Sequence, residues 1–371
     1  MRTYISRGLL SIMLSISTTT PLAPPNKTDP VRSAEWFLDF LKIKDAHSIS
    51  TGAGVTVGLP DTGTFPHRDF VKNLANGIDL TSGRSTSTNN DKDGHGTEMA
   101  GLIAGHGHGN SAGILGIAPD SRLLSIKVTE GVSQASELEA GIKAAATLGA
   151  SVVNISAVTG PSRALEEAIH IAAQQDSVII ASSGNASRVA TIGYPAALQG
   201  VLAVGAIGKN GTPTPSSIPG PNLGICAPGE KIITTGLKSE YSEIRGTSAA
   251  TAITSGAAAL VRARFPELSA QEVIHRLTAT ARDVGAPGWD EQCGYGVLDI
   301  VKALTADVPP LAGGSASAAV GAGGSSGAAA GGADHGGDRQ KTVVLGGIAA
   351  VLAGGVLVAW LAVRRRGRKR L

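Results

Sequence analysis

Three short segments carry side chains that could do covalent chemistry together. VTVGLPDTG ends a strand-like run at Asp61, DGHGTEMAGLIAG starts an apolar helix-like run at His95, and RGTSAATAITSGAAALVRARF opens another at Ser248. A serine hydroxyl is a poor nucleophile near neutral pH and needs a base to take its proton. An imidazole can be that base when a carboxylate holds its other ring nitrogen, fixing the tautomer and steadying the imidazolium. A helix starting at Ser248 would also aim backbone N–H groups at negative charge developing nearby. Taken singly, each segment has an ordinary explanation. An Asp at a strand end caps a turn, a His beside Gly sits in a loop, and a Ser is a common helix cap. Each candidate sits within a short Gly- and Thr-containing triplet: D-T-G, H-G-T and G-T-S.

Groups so far apart in the chain need a rigid frame. Between 36 and 304 strand-like and helix-like patterns alternate. Val55, Val57 and Leu59 alternate in a strand, and 123–128 reads as another. Leu138, Ile142, Ala145 and Leu148 fall at helical spacing before the apolar strand 152–155; Leu165, Ile169 and Ala172 do so before the strand 178–181. Residues 201–207 are again strand, and Ser269 with Glu272 forms a capping box that opens a helix through Val273, Ile274 and Leu277. This order predicts an α/β fold, a doubly wound, mostly parallel sheet with helices on both faces.

The ends of the chain differ from this body. Of 371 residues 42% are hydrophobic and only 16% charged, which suits a compact body with a lipid-facing piece. Residues 1–23 carry Arg2 and Arg7 ahead of the apolar run LLSIMLSI and read as a signal peptide; Pro21, Pro24 and Pro25 crowd the cleavage candidate at Ala23. Residues 24–50 form an N-terminal extension whose Trp36, Phe37, Phe40 and Leu41 would anchor it on the body, 51–305. Too few residues precede the first strand for a separate folded pro-domain, so the extension is expected to stay attached. Residues 306–342 are Gly, Ala and Ser with little to bury, a flexible linker. Residues 343–363 are uncharged and apolar, enough for a single C-terminal transmembrane helix. The basic tail 364–371 then stays cytoplasmic, which places the body extracytoplasmically at the cell membrane. The net charge of +3 resides largely in that tail; its position beside the apolar stretch favours a membrane over nucleic acid as partner.

The order Asp61, His95, Ser248 with these flanks resembles the subtilase family of serine peptidases over roughly 36–304. The resemblance implies a subtilisin-like endopeptidase acting on polypeptide through an acyl-enzyme. It further implies that Asn185, ending ASSGN, is the oxyanion-hole donor. Ser156, Ala157, Val158, Thr159 and Gly160 would be the edge segment that pairs with substrate. Ser182, Ser183 and Gly184 would form the opposite wall of the first specificity pocket. Glu98 stands where the family usually has a second His, and Ala-Ala-Thr-Ala follows Ser248 in place of Met-Ala-Thr-Pro. Activity is expected to fall as His95 gains a proton, roughly between pH 7 and 6.

Within the family, the extension, linker, single anchor and basic tail resemble the mycosins, proteases associated with bacterial type VII secretion. The stretches SAEWFLDFLKIKDAHSISTGAGVTV and PGEKIITTG add to that likeness. Type VII complex subunits are then the implied partners. A free-standing degradative surface protease and a mainly structural subunit of a membrane complex are the alternatives. No cofactor is expected. Asp91 and Asp93 in NNDKDG resemble fragments of a calcium loop, but no bidentate Glu follows at suitable spacing, so a turn positioning His95 is preferred to structural calcium. His106 and His108 in GHGHG read as a mobile Gly-rich surface loop rather than a metal tract. Cys226 and Cys293, the only cysteines, are either a disulfide or two buried thiols.

Overall fold

The computed structural model describes residues 29–82, 90–131 and 137–311. The chain enters through three short helices, α1 (Pro30–Ala34), α2 (Trp36–Phe40) and α3 (Ile43–His47). Strands β1 (Thr56–Asp61) and β2 (Ile78–Asp79) lead to helix α4 (His95–Ala104) and the short strands β3 (His106–His108) and β4 (Ala112–Leu115). Then β5 (Arg122–Lys127), α5 (Leu138–Thr147), β6 (Val152–Ile155), α6 (Arg163–Gln174) and β7 (Val178–Ser182) alternate. Strands β8 (Val201–Ile207), β9 (Leu223–Pro228), β10 (Ile232–Thr235) and β11 (Tyr241–Ile244) precede α7 (Thr247–Arg264), α8 (Ala270–Ala279) and α9 (Ile300–Thr305).

Seven strands form one sheet in the order β2-β5-β1-β6-β7-β8-β9, and all six neighbouring pairs are parallel. Both faces are covered. Val57, Leu59, Val152, Val178 and Ile180 point into a core with α4, α7 and α8. Their alternates Leu124, Ile126, Val153, Ile179 and Ala181 point into a second core with α5 and α6. Successive strand side chains face opposite ways, so burial on both faces makes each strand an almost unbroken apolar run. The capping box at Ser269 is formed as the sequence predicts, with Glu272 returning to the Ser269 N–H.

The winding reverses at β1, which has β5 on one side and β6 on the other. Crevices at such reversals, outside the carboxyl ends of the strands, are where open α/β sheets place ligands. Asp61 is the last residue of β1 and Ser156 follows β6 directly, so both stand at this end.

Described residues of the extension lie on the body. Phe37 and Ala46 are fully buried, Leu41 and Ile43 nearly so, and Trp36 packs edge-on against Phe40 at 5.5 Å. The Trp36 indole N–H donates to the Glu230 and Lys231 carbonyls, both at 3.1 Å. Glu35 is buried beside Arg32 at 3.0 Å and accepts the Leu115 N–H at 3.1 Å. Burial pushes its carboxyl up to about 8 against the opposing charge of Arg32.

One reading changes and one open alternative closes. His106 and His108 are in β3, which pairs antiparallel with β4, and not in a mobile loop. Buried Asp69 is the reason: it receives the His108 Nδ1–H, the Ile114 N–H at 2.8 Å and, through its carbonyl, the His106 N–H. Cys226, in β9, is disulfide-bonded to Cys293 with a Cα separation of 5.1 Å, which selects between the two alternatives left open. The signal peptide, residues 24–28, the linker beyond 311, the apolar stretch 343–363 and the basic tail lie outside the described residues. Among the described residues no helix is long and apolar enough to cross a membrane.

Candidate active site

Asp61 is held at 5% exposure by the end of β1, with one carboxylate oxygen accepting the Thr62 N–H at 2.8 Å. His95 is the first residue of α4. Its Nδ1 lies 2.8 and 3.0 Å from the two Asp61 oxygens. A carboxylate only accepts, so Nδ1 carries a proton, and in the neutral imidazole Nε2 is the acceptor. Gly96 makes this approach possible: a Cβ there would stand 2.0 Å from the Gly63 carbonyl oxygen and 3.3 Å from the Asp61 Cβ.

Asp91 organises the start of α4. One of its oxygens accepts the N–H groups of Asp93 at 3.1 Å and Gly94 at 2.8 Å, and the other accepts the Thr97 N–H at 3.0 Å and hydroxyl at 2.6 Å. With both oxygens occupied by donors, Asp91 does not fit a calcium ligand. Among the described residues no three His, Cys, Asp or Glu groups converge as a metal site.

Burial alone would lower the His95 pKa, but the Asp61 charge and hydrogen bond, helped by Glu98 and Asp93, outweigh it and raise the imidazole to about 9. Burial also raises the Glu98 carboxyl, while the His95 charge and a Ser242 hydrogen bond pull it down. This direction runs against the titration between pH 7 and 6 expected from the sequence. Asp61 is the larger cause of the rise, and Glu98 and Asp93 add to it.

Ser248 is the second residue of α7, which packs against α4. Its hydroxyl donates to the Ser156 carbonyl at 3.3 Å, a bond long enough to be exchanged readily. Ser156 returns a bond to the Ser248 carbonyl at 3.2 Å and receives one from Asn154 at 3.0 Å; Asn154 in turn accepts from Ser255 at 2.9 Å. This buried relay ties the end of β6 to α7. It escaped the sequence reading, although a lone Asn inside the apolar run VVNI was a signal for it.

Asn185 faces the turn before α7. Its Oδ1 accepts the Thr247 N–H at 3.1 Å and hydroxyl at 3.3 Å, which fixes the amide and leaves Nδ2 as a donor. Gly246 has φ +128°, and a Cβ there would come within 3.0 Å of both amide atoms of Asn185. No L side chain fits that conformation or that space comfortably.

A 370 Å³ cavity adjoins these groups, lined by Ser156, Ala157, Val158, Ser182, Gly184, Asn185, Arg188, Val189, Thr247 and Ser248. Three residues of the sequence-predicted set do not line it. The Thr159 backbone is already paired with Tyr194, at 2.8 and 3.2 Å, so it is not a free edge. Gly160 lies beyond that bridge, exposed. Ser183 is fully buried between β7 and β8, its N–H donating to the Val204 carbonyl at 3.0 Å. Arg188 and Val189, which the sequence reading missed, take places in the wall.

Residues 52–296 match the Subtilase family. Mycosin-1 of Mycobacterium tuberculosis is 35% identical over 345 residues, covering 74% of this chain and 74% of its own. The crystal structure of MycP1 with its N-terminal propeptide removed superposes with a TM-score of 0.68 at 35% identity, covering 74% of this chain and 98% of that one. That of MycP1 from the ESX-1 type VII secretion system gives 0.65 at 33% identity, covering 74% and 86%. The chain belongs to the subtilase family and is a serine protease similar to the mycosins.

Proposed function

We propose that this subtilase is an endopeptidase in which Ser248 is the nucleophile, His95 the general base and Asp61 the residue that orients and stabilises it. The observation that carries this reading is the doubly contacted Asp61–His95 pair at 2.8 and 3.0 Å, with Nε2 left to accept a proton. Ser248 Oγ attacks the scissile carbonyl as its proton passes to Nε2. The resulting imidazolium is steadied by Asp61. The oxyanion is met by Asn185 Nδ2, the amide being oriented by the bonds from Thr247 to its Oδ1, and by N–H groups at the start of α7. Collapse expels the amine, which takes the proton from His95, and water attacks the acyl-enzyme by the same path in reverse. Ser156, Ala157 and Val158 bind the peptide as an added strand, with Ser182 and Gly184 facing them across the cavity.

The enzyme works as a membrane-tethered component of a type VII secretion system, its body extracytoplasmic. What supports this is its likeness to proteases of that system, the apolar stretch 343–363 and the basic tail 364–371. The extension to residue 50 remains on the body, supported by the burial of Phe37 and Leu41.

Purified enzyme should hydrolyse peptide esters, and Ser248→Ala enzyme should not. Full-length chain should pellet with membranes, and a chain ending at residue 342 should not. Equal hydrolysis by Ser248→Ala enzyme would remove the catalytic assignment; equal membrane recovery of the truncated chain would remove the anchor.

A further inference from the structure

The cavity beside Ser248 has an apolar end and one charge. A Cβ on Gly184 would meet Val189 at 2.6 Å and Val158 at 3.7 Å, so the two valines converge across that glycine. Arg188 is the charged residue of the described lining. Its N–H donates to the Asn185 carbonyl at 2.8 Å, as does that of Val189 at 3.1 Å, so a tight turn starting at Asn185 fixes where the guanidinium is rooted. Among the described residues no carboxylate pairs with this guanidinium.

We propose that Arg188 makes this protease select an acidic side chain in the substrate residue immediately before the scissile bond. The inference rests on the reading of Ser248 as nucleophile and of the cavity as the pocket for that residue. The methylenes of a glutamate would lie along Val158 and Val189 while its carboxylate meets the guanidinium. Arginine matches a carboxylate with two parallel N–H donors, so charge and shape act together. An apolar side chain would still gain from the valines, but a lysine would bring like charge to an unpaired cation. Because Arg188 is exposed, the pair stays partly solvated, and the selection should be modest and weakened by salt.

The test is kcat/KM for four peptide esters that differ only at that position, carrying Glu, Gln, Leu or Lys, at low and high ionic strength. Glu should exceed its isostere Gln by roughly fivefold at low salt, the preference expected of an exposed ion pair. The ratio should shrink in high salt, fall to about 1 in Arg188→Gln, survive in Arg188→Lys, and invert towards Lys in Arg188→Glu. Covalent titration of Ser248 with a fluorophosphonate normalises each variant to its folded fraction. A Glu/Gln ratio near 1 in the wild type, or one unchanged in Arg188→Gln, overturns the inference while Ser248-dependent hydrolysis stands. If none of the four esters is cleaved in a Ser248-dependent way, the reading beneath falls and the inference with it.

Discussion

Replacing Glu98 by Gln should move the rising limb of the activity profile down towards neutrality. With the His95 imidazole raised to about 9, only about one enzyme molecule in a hundred holds a neutral base at pH 7. Activity should then climb close to tenfold per pH unit up to that region. Glu98 is one of the carboxylates that maintain the shift, after Asp61. Residues three apart on a helix place their charges roughly 6 Å apart, where an effective dielectric of 40 to 80 gives about 0.7 to 1.4 kcal/mol. That corresponds to roughly half to one pKa unit on His95. Glu98→Gln should therefore lower the inflection by that amount and raise kcat/KM at pH 7 by about three- to tenfold. The assay is kcat/KM for a neutral peptide ester from pH 5.5 to 10 at fixed ionic strength, read from the inflection. A wild-type inflection near 6.5, or a Glu98→Gln inflection equal to or above the wild type's, would refute the reasoning.

Asn185→Ala should cut kcat by about a hundred- to a thousandfold with little change in KM, a magnitude known from a subtilisin itself rather than worked from these distances. Stopped-flow turnover on an activated ester measures it, and a purely KM effect would exclude the oxyanion role. Replacing Cys226 and Cys293 together by Ser should cost about 4 kcal/mol in the chain-entropy treatment of a bridge across 67 residues. Urea unfolding with and without reductant checks this. A variant whose midpoint equals that of the oxidised wild type would contradict it.

Much of the site could be read without coordinates, because each catalytic candidate sits at a junction that leaves a local mark. Asp61 closes an apolar strand, His95 follows a glycine and opens a helix, and Ser248 stands two residues after Gly246, whose φ of +128° no ordinary side chain adopts. The sheet was legible for a similar reason: strands buried on both faces become short unbroken apolar runs. What stayed hidden depended on long-range partners. Thr159 lost its place at the substrate edge to Tyr194, 35 residues on, and GHGHG became a hairpin because Asp69, far upstream, is buried beneath it. The His95 titration range required knowing that Glu98 and Asp93 add to Asp61 in space. Arg188 gave no signal in the sequence, because only the turn from Asn185 places it in the cavity wall.

The central claim is that one serine, activated through the Asp61–His95 pair, forms the covalent intermediate. Labelling with a fluorophosphonate, followed by intact-mass analysis and peptide mapping, addresses it most directly. The account predicts one adduct per chain, mapped to Ser248, absent in Ser248→Ala and slowed by orders of magnitude in His95→Ala. Labelling of any other residue, or the same rate in His95→Ala, would contradict it.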